Sequence, residues 1–153
     1  MDSSRPRRSP LAFSAAVVVS GLACIGTSSE PTPPDIAGTW NYTETLIDRL
    51  NQATCVDTGL YDLTQVGDSF AGTYRQTGVC TTPQGAFDNS SGGRVESGHI
   101  LGLNIAFHVP QDCDYEGTLA GSPPNFVAGK GYCVGRNPDG SSFNYEGQWE
   151  ATR

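Results

Sequence analysis

Five cysteines, two histidines and 16 Asp or Glu side chains hold most of the reactive chemistry of this 153-residue chain. Among the acids, Glu44 stands apart, because it alternates onto one face with Trp40, Tyr42 and Leu46. A carboxylate on an apolar inner face needs partners or stays protonated. Such a group can orient the amine or hydroxyl of a ligand. The alternative is a Glu at the mouth of the fold, or one hydrogen-bonded to a tyrosine. Gln76 shares a face with Gln65, Tyr61 and Tyr74. Polar groups beside aromatic walls suit a ligand pocket, and equally a wet interior. Asp112 and Asp114 flank Cys113 and point together away from it, as a solvated edge or, less simply, a calcium ligand pair. Ser, His and Asp occur without a G-x-S-x-G or related context, so no catalytic residue is assigned and no enzyme is expected.

Setting Cys24 aside leaves Cys55, Cys80, Cys113 and Cys133. No C-x-x-C occurs, and His99 and His108 are not spaced as a ligand cluster, so neither metal nor cofactor is expected. An even number of cysteines in an exported domain reads as disulfides. Hairpin register selects the pairing. If Gly67-Asp68 is a two-residue loop closed by Val66 and Ser69, Cys55 faces Cys80, Tyr61 faces Tyr74, Leu63 faces Gly72 and Gln65 faces Phe70. A turn at Gly121-Ser122-Pro123-Pro124-Asn125 likewise sets Cys113 opposite Cys133, Glu116 opposite Lys130 and Leu119 opposite Val127. Cα atoms in such non-hydrogen-bonded pairs lie about 4.5 Å apart, within bridging reach. Each bridge contributes roughly 3 kcal/mol in the chain-entropy model.

The elements that carry these residues read as strands. From Ile36 the apolar period is two, and turns recur at short intervals. Nineteen glycines and ten prolines also disfavour helices. Eight strands are expected, near 36–46, 55–66, 69–80, 93–100, 103–109, 113–120, 125–133 and 142–152. Longer links fall at 81–92 and 134–141. An antiparallel up-and-down eight-stranded barrel removes all edges; a two-sheet sandwich is the alternative.

Upstream, Arg5, Arg7 and Arg8 precede an apolar run from Leu11 to Val19 and a small-residue exit at Ser20-Gly21-Leu22-Ala23. This is the pattern of an export signal over residues 1–23. The apolar stretch is too short for a comfortable membrane span of about 20 residues. Leu22-Ala23-Cys24 resembles the end of a bacterial lipobox, which implies lipidation of Cys24 and attachment to a membrane. Gly21 departs from that motif, and with Ala23 it also suits ordinary signal peptidase. Ile25 after the Cys points by the same resemblance to the outer membrane of the cell envelope; periplasmic or secreted protein is the alternative. Residues 24–35 are Ser-, Pro- and Thr-rich, a tether, and 36–153 form the folded domain. Removing Arg5, Arg7, Arg8 and Asp2 with the signal takes the net charge from −7 to −9, which opposes nucleic-acid binding.

Ile36-Ala37-Gly38-Thr39-Trp40, Phe70-Ala71-Gly72-Thr73-Tyr74 and Gly147-Gln148-Trp149 resemble the calycin group, the lipocalins and avidins, in which G-x-W opens an eight-stranded barrel. The chain is also similar to small bacterial lipocalin-like lipoproteins of no assigned activity. The resemblance implies that Trp40 packs at the barrel floor. It implies that Arg153 lies against that ring in a cation–π contact of roughly 0.5–2 kcal/mol; a solvated Arg153 is the alternative. The further tryptophans of an avidin pocket are missing, so biotin binding is not expected.

Three functional classes follow. The first is a lipid-anchored, non-enzymatic barrel that binds a small apolar or amphipathic molecule. The second is an envelope interaction protein with a filled barrel, whose protein partner the residues do not name. The third is a protease inhibitor, because bacterial metalloprotease inhibitors are also small disulfide-bonded barrels; a lipidated Cys24 would block its insertion into a cleft. The expected inner face comprises Trp40, Tyr42, Tyr61, Tyr74, Phe107, Phe143 and Tyr145, with Glu44 and Gln76 as its polar groups. If no interior cavity reaches ~300 Å³, the low end of ligand pockets, binding inside the barrel is excluded, and what remains is a surface role carried by the acidic outer faces and the long 81–92 loop.

Overall fold

The computed structural model describes residues 31–153, apart from Gln111 and Pro138. The export signal at 1–23, Cys24 and the first part of the tether lie outside the described residues. Nine strands follow one another: β1 (Gly38–Asp48), β2 (Ala53–Val66), β3 (Ser69–Thr82), β4 (Gly85–Asp88), β5 (Ser91–Leu101), β6 (Asn104–Val109), β7 (Cys113–Gly121), β8 (Pro124–Arg136) and β9 (Ser142–Thr152). All pairings are antiparallel. β1 lies between β2 and β9, and β2 also pairs with β3, so eight strands close into an up-and-down barrel. β4 is the ninth, a short extension on the end of β3.

The expected 81–92 link therefore contains a strand. Thr82 pairs with Gly85 across a two-residue turn, and Gly85-Ala86-Phe87-Asp88 runs back along Val79–Thr82. All four β4 residues are exposed, so no alternation of burial marked them in advance.

Both hairpin registers hold at the cysteines. Val66 faces Ser69 and Cys55 faces Cys80, with Gly67 taking the positive φ of 63° that the tight loop requires. Cys113 faces Cys133, Glu116 faces Lys130 and Leu119 faces Val127. Disulfides join Cys55–Cys80 and Cys113–Cys133, with Cα atoms 3.9 Å and 4.0 Å apart, closer than the expected 4.5 Å. Near the second turn the ladder slips between Ala120 and Gly121, so Gly121 faces Pro124 rather than Asn125. Proline has no N–H for a ladder and sits best at a strand start, where Pro124 is found. Glu116 and Lys130 face each other without an ion pair; the ion pairs among the described residues are Arg75–Asp62 and His108–Asp114.

The lower part of the barrel is filled. Tyr42 stacks on Tyr61 with centroids 4.3 Å apart, and Phe107 stacks on Tyr115 at 5.0 Å. Trp149 meets Tyr61, Phe107 and Tyr115 edge-on. Only about 20 Å³ is left among these rings. Below them Trp40 donates its Nε1–H to the Ile36 carbonyl at 2.9 Å. The Arg153 guanidinium lies 5.0 Å from the Trp40 ring and donates to the carbonyls of Pro124, Ala37 and Asp35. The chain is thus held from Pro34 and Asp35 onward, since the Gln65 amide also bonds the Pro34 carbonyl. Those two residues belong to the barrel's closed end rather than to a free tether.

Candidate functional site

The opposite end is a half-open cup of about 230 Å³. Its floor is the top of the aromatic plug. Glu44 on β1 is only 4% exposed. Its Oε2 accepts a hydrogen bond from the Tyr115 hydroxyl at 2.9 Å. Oε1 accepts none from the described residues, and no buried side-chain oxygen there lacks a partner, so Oε1 is open to the cup. Tyr115 is brought into reach by β7, where it follows Cys113 by two residues and so shares its inward face. Gly131 faces it on β8, and a Cβ there would press on the Tyr115 ring.

The wall is sulfur-rich on one part and carries the amides of Gln76, Asn89 and Asn137 on another. Leu46, Cys55, Cys80 and Cys133 form one buried cluster, with Cys113, Phe143 and Tyr145 packed against it. Both disulfides line the cup, and Phe87 of β4 stands at its rim. Phe143 and Tyr145, the first inward residues of β9, are half-buried there with centroids 5.9 Å apart.

A second carboxylate supports the floor from behind. Asp57 directly faces Glu44 in the β1–β2 ladder and is 1% exposed. The Asn89 amide donates to both Asp57 oxygens, each at 3.1 Å. Asn89 also donates its backbone N–H to the Gly78 carbonyl at 2.9 Å. Its own carbonyl accepts from Gln76 Nε2, while Gln76 Oε1 accepts from the Tyr42 hydroxyl. This one asparagine, just past β4, pins the extension over the carboxylate. Gly78 leaves the space: a Cβ there would overlap Asp57 Oδ1.

Burial pushes the Glu44 carboxyl up to about 7; the bond from Tyr115 works against the rise and the Asp57 charge adds to it. Burial also raises Asp57, with the Asn89 bond opposing. The hydroxyls of Tyr42 and Tyr115 are raised by burial and by the Glu44 charge, so both remain proton donors. A third buried acid, Asp48, differs. Burial raises it, but bonds from the Asn51 side chain and from the backbone of Asn51, Asn144 and Leu50 outweigh that and hold it low. Asp48 organises the β1–β2 turn and takes no part in the cup.

The expected inner-face residues all point inward, but they divide. Trp40 belongs to the closed end, and Tyr42, Tyr61 and Phe107 to the plug. Glu44, Tyr74, Gln76, Phe143 and Tyr145 line the cup. Two corrections follow. The space among the plug rings is about 20 Å³ and the half-open cup about 230 Å³, so no interior cavity reaches ~300 Å³ and the cup is a mouth formed partly by the 81–92 segment rather than an enclosed site. Glu44 is also bonded to a tyrosine, the alternative set against a ligand-orienting role, although one of its oxygens stays open. Asp114 points outward and pairs with His108 at 2.9 Å. No group of three or more His, Cys, Asp or Glu able to hold a metal ion occurs among the described residues.

Asp57, Asn89 and Tyr115 were not expected in the site. Asp57 and Tyr115 each follow a bridged cysteine by two residues, a parity that places them inside. Asn89 has no such signal, because its position depends on β4 folding back.

The two disulfides mark an oxidising compartment. No helix among the described residues is long and apolar enough to cross a membrane. No family model, curated protein or solved structure matches this chain.

Proposed function

We propose that the protein is an exported, lipid-anchored, non-enzymatic barrel that takes a small amphipathic molecule end-on. The headgroup enters the cup and the apolar part rests against the disulfides and the rim rings. The observation that carries this reading is the open Glu44 oxygen at the base of a half-open cup whose wall combines disulfides and rings with the amides of Gln76, Asn89 and Asn137. A buried acceptor at the base of a cup, with apolar side chains on part of its wall, fixes the orientation of such a molecule. The lipocalin-like resemblance and the closed up-and-down barrel support the same class. The Cys24 anchor rests on the Leu22-Ala23-Cys24 sequence; it requires that a Cys24→Ser variant move from the membrane to the soluble fraction.

The binding test is a titration of the full exported protein with straight-chain alcohols from butanol to octanol, followed by amide chemical shifts. Saturable shifts at Gln76, Asn89 and Tyr145 are expected. Affinity should rise by up to ~0.8 kcal/mol per methylene until the chain leaves the cup. Linear, unsaturable shifts for every alcohol would reject the reading. An envelope interaction protein is the second reading, and the aromatic plug that fills the lower barrel favours it.

A further inference from the structure

The cup is acidic, and the described residues that line it bring no counter-charge. Among the described residues lining it, none is Lys, Arg or His, and the single lysine of the chain, Lys130, is exposed and faces Glu116. Glu44 and Asp57 face each other across two adjacent strands, both inside the barrel and neither in an ion pair. Buried carboxylates are ordinarily matched by a cation or a metal. Asp57 is satisfied by the Asn89 amide and has no surface left for a ligand. Glu44 keeps one oxygen open to the cup. The rings of Tyr74, Phe143 and Tyr145 line the same cup, and aromatic faces attract cations. The site has an acceptor at its base, π-faces at its side and a net negative field.

We propose that the headgroup taken by the cup is a monovalent organic cation, a protonated amine on a short apolar chain, bound by the Glu44 carboxylate with the Asp57 charge behind it. This rests on the reading of the cup as an amphipath site. The ammonium donates to Glu44 Oε1 while Tyr115 continues to donate to Oε2. Anionic amphipaths such as fatty acids meet two carboxylates and no cation, and are rejected.

A proton must balance this binding. Where Glu44 is protonated, the incoming ammonium displaces that proton to solvent, and the complex gains the cation without a change in total charge. The titratable groups that face Glu44 are Asp57 on β2, Tyr74 on β3, Tyr115 on β7 and Tyr145 on β9, with Tyr42 on β1 itself; β8 presents Gly131 and Cys133. The tyrosines that burial raises stay neutral below pH 9. The carboxyl of Glu44, pushed up to about 7, and the raised carboxyl of Asp57 behind it therefore set the pH dependence.

The experiment titrates the full exported protein with three isosteric probes: n-hexylammonium, 1-hexanol and hexanoate. At about pH 8, hexylammonium is expected to bind at least ~10-fold more tightly than 1-hexanol, the low end for a hydrogen bond to a charged group, and hexanoate more weakly than either. At about pH 5.5 the advantage of hexylammonium should shrink several-fold, and titrations in buffers of different ionisation heat should show proton release. In Glu44→Gln the advantage should vanish at both pH values while 1-hexanol still binds. If 1-hexanol saturates the cup and hexylammonium binds no better at about pH 8, the cation assignment is overturned and the cup reading stands. Preferred binding of hexanoate overturns the assignment too. If none of the three saturates, both readings fall. The wild-type comparison decides the matter even if Glu44→Gln does not fold.

Discussion

Glu44 and Asp57 occupy facing positions in the β1–β2 ladder, both buried inside the barrel, and they are stabilised differently. Asp57 is closed off by the Asn89 amide, whereas Glu44 shares its charge with one tyrosine hydroxyl and an open cup. That asymmetry leaves Glu44 as the carboxylate with an oxygen open to the cup and a carboxyl pushed up to about 7.

The first consequence is for stability. The Glu44 carboxyl rises from the usual 4.5 to about 7 on folding. The folded protein then binds this proton more tightly than the unfolded chain, so the contribution is fully present below about pH 4.5 and is lost as pH rises towards 7. The loss is of the order of 3 kcal/mol at ~1.4 kcal/mol per pKa unit. Denaturant unfolding from pH 4.5 to 8 should show wild type weakening across that window and Glu44→Gln weakening less. Parallel curves for the two proteins would contradict it.

The bridges give a second test. Non-reducing peptide mapping should recover Cys55 with Cys80 and Cys113 with Cys133. Replacing Cys113 by Ser should free one thiol at Cys133 and cost roughly 2–5 kcal/mol. A Cys55–Cys113 or Cys55–Cys133 peptide would reject the pairing.

At the closed end, Arg153 joins three backbone carbonyls to the Trp40 ring. Arg153→Ala should lower the unfolding free energy by about 1–3 kcal/mol, most of it through the lost hydrogen bonds. Arg153→Lys keeps the charge but not the fork, and should recover less than half. Unchanged thermal midpoints in both variants would show that the clamp is not formed in solution.

Asn89 is the latch of the β4 extension. Asn89→Ala removes the donor to a buried carboxyl and should cost about 1–3 kcal/mol. Amide exchange at residues 85–89 should accelerate at the same time, while the amides of β1 and β9 keep their protection. Uniform acceleration throughout the barrel would show instead that the latch belongs to the global core.

Much of this architecture was legible because hairpin register is local. A single tight turn at Gly67-Asp68 aligns Val66 with Ser69 and, eleven residues on, Cys55 with Cys80. Period-two alternation likewise put Trp40, Tyr42 and Glu44 on one face and sent them inside. Parity from Cys55 and Cys113 also places Asp57 and Tyr115, although neither looked exceptional by residue type. The β4 extension was not legible, because Gly85–Asp88 buries nothing and leaves no apolar period. The volume of the cup was not legible either. It depends on the ring rotamers of Tyr115, Phe143 and Tyr145 and on β4 folding back with Phe87, which the order of residues along the strands leaves open.

The central claim is that the cup, and no other part of the molecule, receives the ligand. Intermolecular NOEs from a saturating short-chain probe, 1-hexanol, test it most directly. The account predicts contacts from the probe's methylene protons to the rings of Phe87, Phe143 and Tyr145, and none to Ile36 or Trp40 at the closed end. Contacts confined to the exposed Val56 and Val79 on the outer wall, or to the Trp40 end, would contradict it.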